Sequence, residues 1–188
     1  MKKYIFLFTL FFSMISLKAN ALLPVGGYFG VRGSEYIGTH SDNKRGNSLD
    51  INSSSFSPSV AIGVRLLDFR FELEYMYRLN GAEVYTGRHT KKFDVDLKMF
   101  NIYYDFFEFL FLKFYINGGI GKYDAKTSLV HGDNEKVWNV GLGTTFSLLN
   151  IVNADVGIRH VNLGKMKFKS QSSEQSFEEI YAGIRLGF

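Results

Sequence analysis

The sequence predicts an all-β chain: an eight-stranded antiparallel up-and-down transmembrane β-barrel, preceded by a cleaved signal peptide. Three observations predict it. Residues 177–188 alternate strictly, with Phe188, Leu186, Ile184, Ala182 and Ile180 apolar and Gly187, Arg185, Gly183, Tyr181 and Glu179 small, polar or charged between them. A period of two gives a strand with two unlike faces, here one for lipid and one for a polar lumen. Seven earlier segments show the same alternation, joined by connections that are long and short in turn. Ahead of them all stands an export signal.

That signal comes first in the chain. Lys2 and Lys3 form a positive start, Tyr4 to Leu17 is an apolar run, and Ala19-Asn20-Ala21 places small residues at a cleavage site. The pattern is a secretory signal peptide over 1–21, leaving 22–188 as one barrel domain. The run is too short to serve comfortably as an uncleaved anchor. Removing it takes away Lys2, Lys3 and Lys18, so the 22 basic residues become 19 against 18 acidic ones. A nearly neutral mature chain gives a nucleic-acid partner no electrostatic support. The absence of cysteine excludes a disulfide scaffold and thiolate metal sites. Abundant Phe and Tyr, 19 and 11 residues, beside 19 Gly and 2 Pro, suit an inside-out barrel better than a soluble core.

The first strand spans about Val25 to Tyr36, with Phe29 and Val31 on one face and Tyr28, Gly30 and Arg32 on the other. The second, near Ser59 to Leu67, sets Val60, Ile62, Val64 and Leu66 against Ala61, Gly63 and Arg65. The third, Phe69 to Arg78, turns Phe69, Phe71, Leu73, Tyr75 and Tyr77 outward and Arg70, Glu72, Glu74, Met76 and Arg78 inward. In the fourth, Phe93 to Phe106, the apolar row Phe93, Val95, Leu97, Met99 slips by one residue to Phe100, Ile102, Tyr104, Phe106. A β-bulge near Met99-Phe100 would reconcile the two rows. The fifth, Phe114 to Tyr123, is glycine-rich and its two faces are poorly defined. The sixth turns Trp138, Val140, Leu142, Phe146 and Leu148 outward, and the seventh, Val152 to His160, does so with Val152, Ala154, Val156 and Ile158. Residues 177–188 are the eighth.

Long polar connections, 38–58, 79–92, 124–136 and 163–176, follow the odd strands; Leu67-Asp68, Phe107 to Leu112 and Leu149 to Ile151 are short. Bacterial barrels have longer outer loops, short periplasmic turns and an even strand count. A soluble ligand-binding barrel would reverse the faces, with apolar residues inside. The closing aromatic, the export signal and the loop asymmetry together favour the membrane form.

The pattern resembles the OmpA-like and opacity-protein-like families of small outer-membrane surface antigens. The resemblance rests on Asn101-Ile102-Tyr103-Tyr104-Asp105-Phe106, Gly118-Gly119-Ile120-Gly121, Asp155-Val156-Gly157-Ile158-Arg159 and the ending Ala182 to Phe188. It implies residence in the bacterial outer membrane, assembly by the barrel-assembly machinery and a role in adhesion or as a surface antigen. The peptidoglycan-binding half that follows the barrel in some relatives is not expected here.

An eight-stranded barrel is only wide enough inside for side chains. The sequence places Arg32, Arg65, Arg70, Arg78, Lys98, Arg159 and Arg185 there, against Glu72, Glu74, Asp94, Asp96, Asp155 and Glu179. Buried charges must be paired, so the expectation is a plug of salt bridges rather than a single-sign ion path. Tyr75, Tyr77, Phe93, Trp138 and Phe188 fall at strand ends as an aromatic girdle. Ile180, Ala182, Ile184, Leu186 and Phe188 form the assembly signal.

No catalytic set emerges. Lipid A deacylases carry a late-strand His-x-Ser motif; the matching stretch, Arg159-His160-Val161-Asn162, holds Asn162 at the nucleophile position, which forms no acyl intermediate. Gly118 to Lys122 lacks the spacing of a phosphate loop. Asp42, Asn43, Asp50 and Asn52 lack calcium-loop spacing, and no cofactor or metal is expected. The bases Lys44, Arg45, Arg88, Lys91, Lys92, Lys165, Lys167 and Lys169 suit lipopolysaccharide phosphates or a host or matrix ligand. The expected function is a non-enzymatic surface barrel acting in adhesion or envelope integrity through four outer loops. A narrow channel is the alternative and a lipid A-modifying enzyme the third reading.

Overall fold

A computed structural model describes residues 25–42, 49–51, 56–77, 82–86, 89–93, 95–125, 136–149, 151–168 and 171–188. The expected signal peptide, Lys44, Arg45, Arg78, Arg88, Asp94 and Lys169 lie outside them. The described strands are β1 (Val25–Asp42), β2 (Leu49–Ile51), β3 (Phe56–Leu66), β4 (Phe69–Met76), β5 (Ala82–Thr86), β6 (His89–Phe93), β7 (Val95–Phe109), β8 (Leu112–Ala125), β9 (Lys136–Ser147), β10 (Val152–Phe168) and β11 (Gln171–Gly187). Eight of them close a barrel in the order β1-β11-β10-β9-β8-β7-β4-β3, every described pair antiparallel. The last strand closes on the first, where Phe188 N–H donates to Gly27 O at 2.9 Å and Gly27 N–H returns the bond to Phe188 O at 3.1 Å.

Which face turns inward decides between a membrane barrel and a soluble one. In β4, Leu73 is 60% exposed while its neighbours Glu72 and Glu74 are 1% and 3% exposed. The same holds around the wall: Phe29, Val31, Ile62, Ile116, Leu142, Ile158 and Ile184 stand on the outside, and Arg32, Arg70, Asp155, Arg159 and Arg185 are buried within. A continuous apolar exterior far exceeds the few hundred Å² normal on a water-soluble monomer. This is the polarity of a barrel made for lipid.

The structure corrects the sequence reading in three places. The described wall of β7 has no irregularity at Met99-Phe100; its register against β8 shifts between Asp105 and Phe107 instead. Consequently Leu97 and Met99 point into the lumen, and Lys98 points out. Residues 38–42, 163–168 and 171–176, expected in loops, lengthen β1, β10 and β11. Two bulges bend these taller strands, between Tyr36 and Gly38 and between Asn162 and Gly164. Phe93 closes β6, which pairs with β5, and β5 with β2, in a small sheet apart from the barrel wall. It therefore does not belong to the wall's girdle.

At the opposite end the turns are tight. Leu67-Asp68 joins β3 to β4 and Leu110-Phe111 joins β7 to β8. Leu67 and Leu110 take φ values of 57° and 56°, in the left-handed region that two-residue hairpins often require of their first central residue.

Candidate functional site

The lumen is filled in layers. Nearest the short turns, Arg70 Nη2 donates to Asp105 Oδ1 at 2.8 Å, and Arg185 Nη2 donates to Asp155 Oδ1 at 3.0 Å. Arg185 Nε also pairs with Asp155 Oδ2, and Thr145 Oγ1 donates to Asp155 Oδ1 at 2.6 Å. The Arg70 guanidinium lies between two rings, 4.5 Å from the centre of Tyr103 and 4.6 Å from that of Tyr115. Desolvated cation–π contacts of this kind help a guanidinium that has lost its water.

One layer further in, Arg32 meets Glu72 as a fork, Nη1 to Oε1 and Nη2 to Oε2 both at 2.6 Å. Tyr28 and Tyr103 hydroxyls donate to the same carboxylate at 3.0 and 3.1 Å. Above it, Glu74 accepts from Arg159 Nη1 at 2.6 Å, Ser59 Oγ at 2.8 Å and Asn101 Nδ2 at 2.9 Å. Arg159 Nε turns to Glu179 Oε1. Asn117 Nδ2 donates to Asn139 at 3.0 Å, and Asn139 Nδ2 to Asn101 at 2.8 Å, a ladder of amides feeding the Glu74 layer.

The end toward the long hairpins is capped by apolar groups. Tyr36, Met76, Leu97, Met99, Val137, Val161 and Phe177 are all buried. Tyr36 and Phe177 pack edge to face with centres 4.9 Å apart, and Tyr36 OH donates to Ser57 Oγ at 2.9 Å. This cap explains the slipped parity of β7. Leu97 and Met99 are apolar because they close the lumen, not because they face lipid.

Of the charges expected in the lumen, Arg32, Arg70, Glu72, Glu74, Asp155, Arg159, Glu179 and Arg185 are buried there, and Arg65 reaches its short-turn mouth, Nη2 standing 3.6 Å from Asp105 Oδ2. Lys98 and Asp96 are corrections. Lys98 has a side chain 61% exposed and pairs outside with Asp124 at 2.5 Å, while Asp96 is buried as expected, 4% exposed, but beneath the outward Tyr75, whose hydroxyl donates to it at 2.9 Å. With the wall unbulged at Met99, both fall on the outer face of β7. Asp105 is outside the expected set, as are the tyrosines and the Asn101–Asn117–Asn139 ladder. Alternation already turns Tyr28, Asn139 and Tyr181 inward; the further signal is that buried carboxylates need neutral donors as well as cations.

On the outer face, Trp138 and Tyr77 are exposed, and Tyr75 and Phe188 are partly so. Ile180, Ile184 and Leu186 form an exposed apolar row on β11, with Ala182 among them. Trp138 lies against His160, ring centres 5.5 Å apart, and His160 Nδ1 is 3.1 Å from Glu178 Oε1. Asn162 is structural: its Oδ1 accepts from Gly164 N at 2.7 Å, where Gly164 takes φ 73° at the bulge. No hydroxyl or thiol stands at that position, so His160 has no nucleophile in this stretch to activate. Lys91, Lys92, Lys165 and Lys167 lie on β6 and β10, their side chains outside the described set.

Solved structures with this fold are small outer-membrane barrels. Neisserial surface protein A is similar over 87% of this chain and 97% of its own, with TM-score 0.60 and 20% identity. OprG from Pseudomonas aeruginosa is similar over 87% and 95%, with TM-score 0.58 and 11% identity. The N-terminal β-barrel domain of OprF from the same organism gives TM-score 0.51 and 12% identity over 87% of this chain and 97% of that domain. No protein-family model and no curated protein sequence matches the chain. At these identities the likeness is one of fold.

Proposed function

We propose that this chain is a non-enzymatic, non-conducting protein of the bacterial outer membrane, exported by a cleaved signal peptide and acting through the outer ends of its strands. The observation that carries this reading is the filled lumen. Among the described residues, guanidiniums of Arg32, Arg65, Arg70, Arg159 and Arg185 are matched by carboxylates of Glu72, Glu74, Asp105, Asp155 and Glu179, five against five. A path selective for one ion sign would need an excess of one charge, and buried, mostly apolar side chains fill the space above the ionic layers. What remains for function is the surface raised by β1, β10 and β11 and the loops between strands.

In this reading the short turns face the periplasm, and the barrel-assembly machinery inserts the chain by its last strand. Lipid and lipopolysaccharide surround the belt. A host or matrix ligand meets the basic segments around Lys44-Arg45, Arg88 to Lys92 and Lys165 to Lys169. A place at the cell surface agrees with the name of the Neisserial surface protein. The test has two arms. Refolded protein in planar bilayers should give no conductance steps above background; regular steps would replace this reading with a channel. Cells displaying the chain should adhere to host matrix severalfold better than cells displaying a variant with 163–176 replaced by a short turn. Equal adherence would remove the adhesive role.

A further inference from the structure

The outer wall is not uniformly convex. A groove of about 910 Å³ crosses the outward faces of β7, β8, β9 and β10, walled by Ile102, Ile120, Val140 and Ile158, and it reaches His160 and Glu178 at one end. That volume lies within the range of small-molecule sites, roughly 300–1,000 Å³. The groove opens on the apolar belt, so its occupant must come from the membrane. Its floor is bare backbone at Gly118. A Cβ added there would meet nothing nearer than Asn139 O at 3.8 Å, ordinary contact distance. The neighbouring inward Gly141 is different, since a Cβ there would lie 2.6 Å from Arg159 Cβ and 2.7 Å from Asn117 Oδ1. Lumen packing therefore requires Gly141, but nothing in the wall requires Gly118. An in-strand glycine destabilises the fold relative to alanine. At Gly118 the gain from that cost is an open groove.

We propose that this groove binds one phospholipid with an ammonium-bearing headgroup, an acyl chain lying over Gly118 and the headgroup resting on the His160–Glu178 pair. The argument for the headgroup is charge complementarity. His160 and Glu178 face outward, not into the lumen, with side chains 31% and 39% exposed and their polar atoms 3.1 Å apart. They present an acid and a base side by side at the end of an otherwise apolar trough. A lipid carrying one phosphate and one ammonium answers both, whereas an anionic glycerol headgroup meets the carboxylate unfavourably. Trp138, tilted against His160, supplies the amphipathic ring common at a headgroup boundary.

This site rests on the membrane reading above, and the test separates the two. The full chain is produced in a host with an outer membrane, and the folded protein is placed in nanodiscs of equal parts phosphatidylethanolamine and phosphatidylglycerol. Native mass spectrometry then reads the lipids retained on the ejected protein. The expected result is one retained phosphatidylethanolamine, enriched severalfold over phosphatidylglycerol. Gly118→Leu should abolish the adduct by filling the floor, Gly118→Ala should weaken it, and His160→Ala should erase the preference between the two lipids. Ile62→Ala, on the outward face of β3 across the barrel from β8 and β9, should change nothing. Equal retention of both lipids by the unaltered chain, or an undiminished adduct in Gly118→Leu, would overturn the site while leaving the membrane reading intact. A chain that fails to enter the bilayer in heat-modifiable form would overturn both.

Discussion

A buried guanidinium is tolerable only when its charge is answered, and Arg159 is answered twice, by Glu74 and by Glu179. Glu74 in turn serves two cations, with Arg32 Nη1 3.5 Å away. Removing it leaves both guanidiniums short of a partner in a lumen without bulk water. Glu74→Ala should therefore lower stability by roughly 3–5 kcal/mol, read as a shift of the urea midpoint in reversible refolding into detergent. Glu74→Gln should cost less, because its single amide oxygen can still accept from Asn101 and Arg159, which bond Oε2, while its NH2 donates to the rotatable Ser59 hydroxyl; an equal loss would mean that shape, not charge, dominates the site. The amino-acid pattern alone makes these residues legible. Arg70, Glu72 and Glu74 alternate with Phe71 and Leu73, so charge and parity agree. At Leu97 and Met99 they do not. An apolar side chain faces lipid in most of a membrane strand, and only the packing at the lumen's end reveals that these two form a cap.

At the level of single strands and turns, alternation works only where two solvents differ across the wall. It locates the lipid-facing part of most barrel strands, but leaves the faces of the glycine-rich 114–123 segment poorly defined and misplaces Leu97 and Met99. It fails beyond that part, because above the belt both faces of β1, β10 and β11 can be polar and no pattern marks the pairing. Lys167↔Ser172 and Asp42↔Glu174 are ladder partners that no hydrophobic signal announces. The tight turns carry a separate prediction. Leu67 at φ 57° holds a conformation costing about 1–2 kcal/mol for a side chain with Cβ. Leu67→Gly removes that strain, offset by about 0.5–1 kcal/mol of backbone entropy, so the folded state should gain up to about 1 kcal/mol. Leu67→Ile, branched at Cβ, should lose stability. Urea titrations of the two variants should therefore bracket the unaltered chain, and a more stable Leu67→Ile would refute the assignment of strain.

For the whole molecule, the apolar belt sets the environment and the lumen sets the contents. Ile184 is 49% exposed on the outer face of β11. A charge introduced on a lipid-facing strand costs roughly 2–4 kcal/mol near the bilayer midplane. Ile184→Arg should accordingly lose the heat-modifiable folded band, whereas Gly183→Arg on the neighbouring inward position should fail for a different reason, by collision with Arg32 and the Val31 carbonyl. Normal folding of Ile184→Arg would mean that the faces are reversed.

The balance of charge inside the barrel has an electrical meaning. Carrying one elementary charge through a potential of 100 mV is worth about 2.3 kcal/mol, but a voltage does that work only on charge that is both unbalanced and free to move. Here the five cations and five anions are bound to one another across six strands of the wall, β1, β3, β4, β7, β10 and β11. Among the described residues such a lumen holds no gating charge and no voltage sensor. Its structure should be the same at either polarity of the membrane, a fixed post on which the exposed hairpins are displayed.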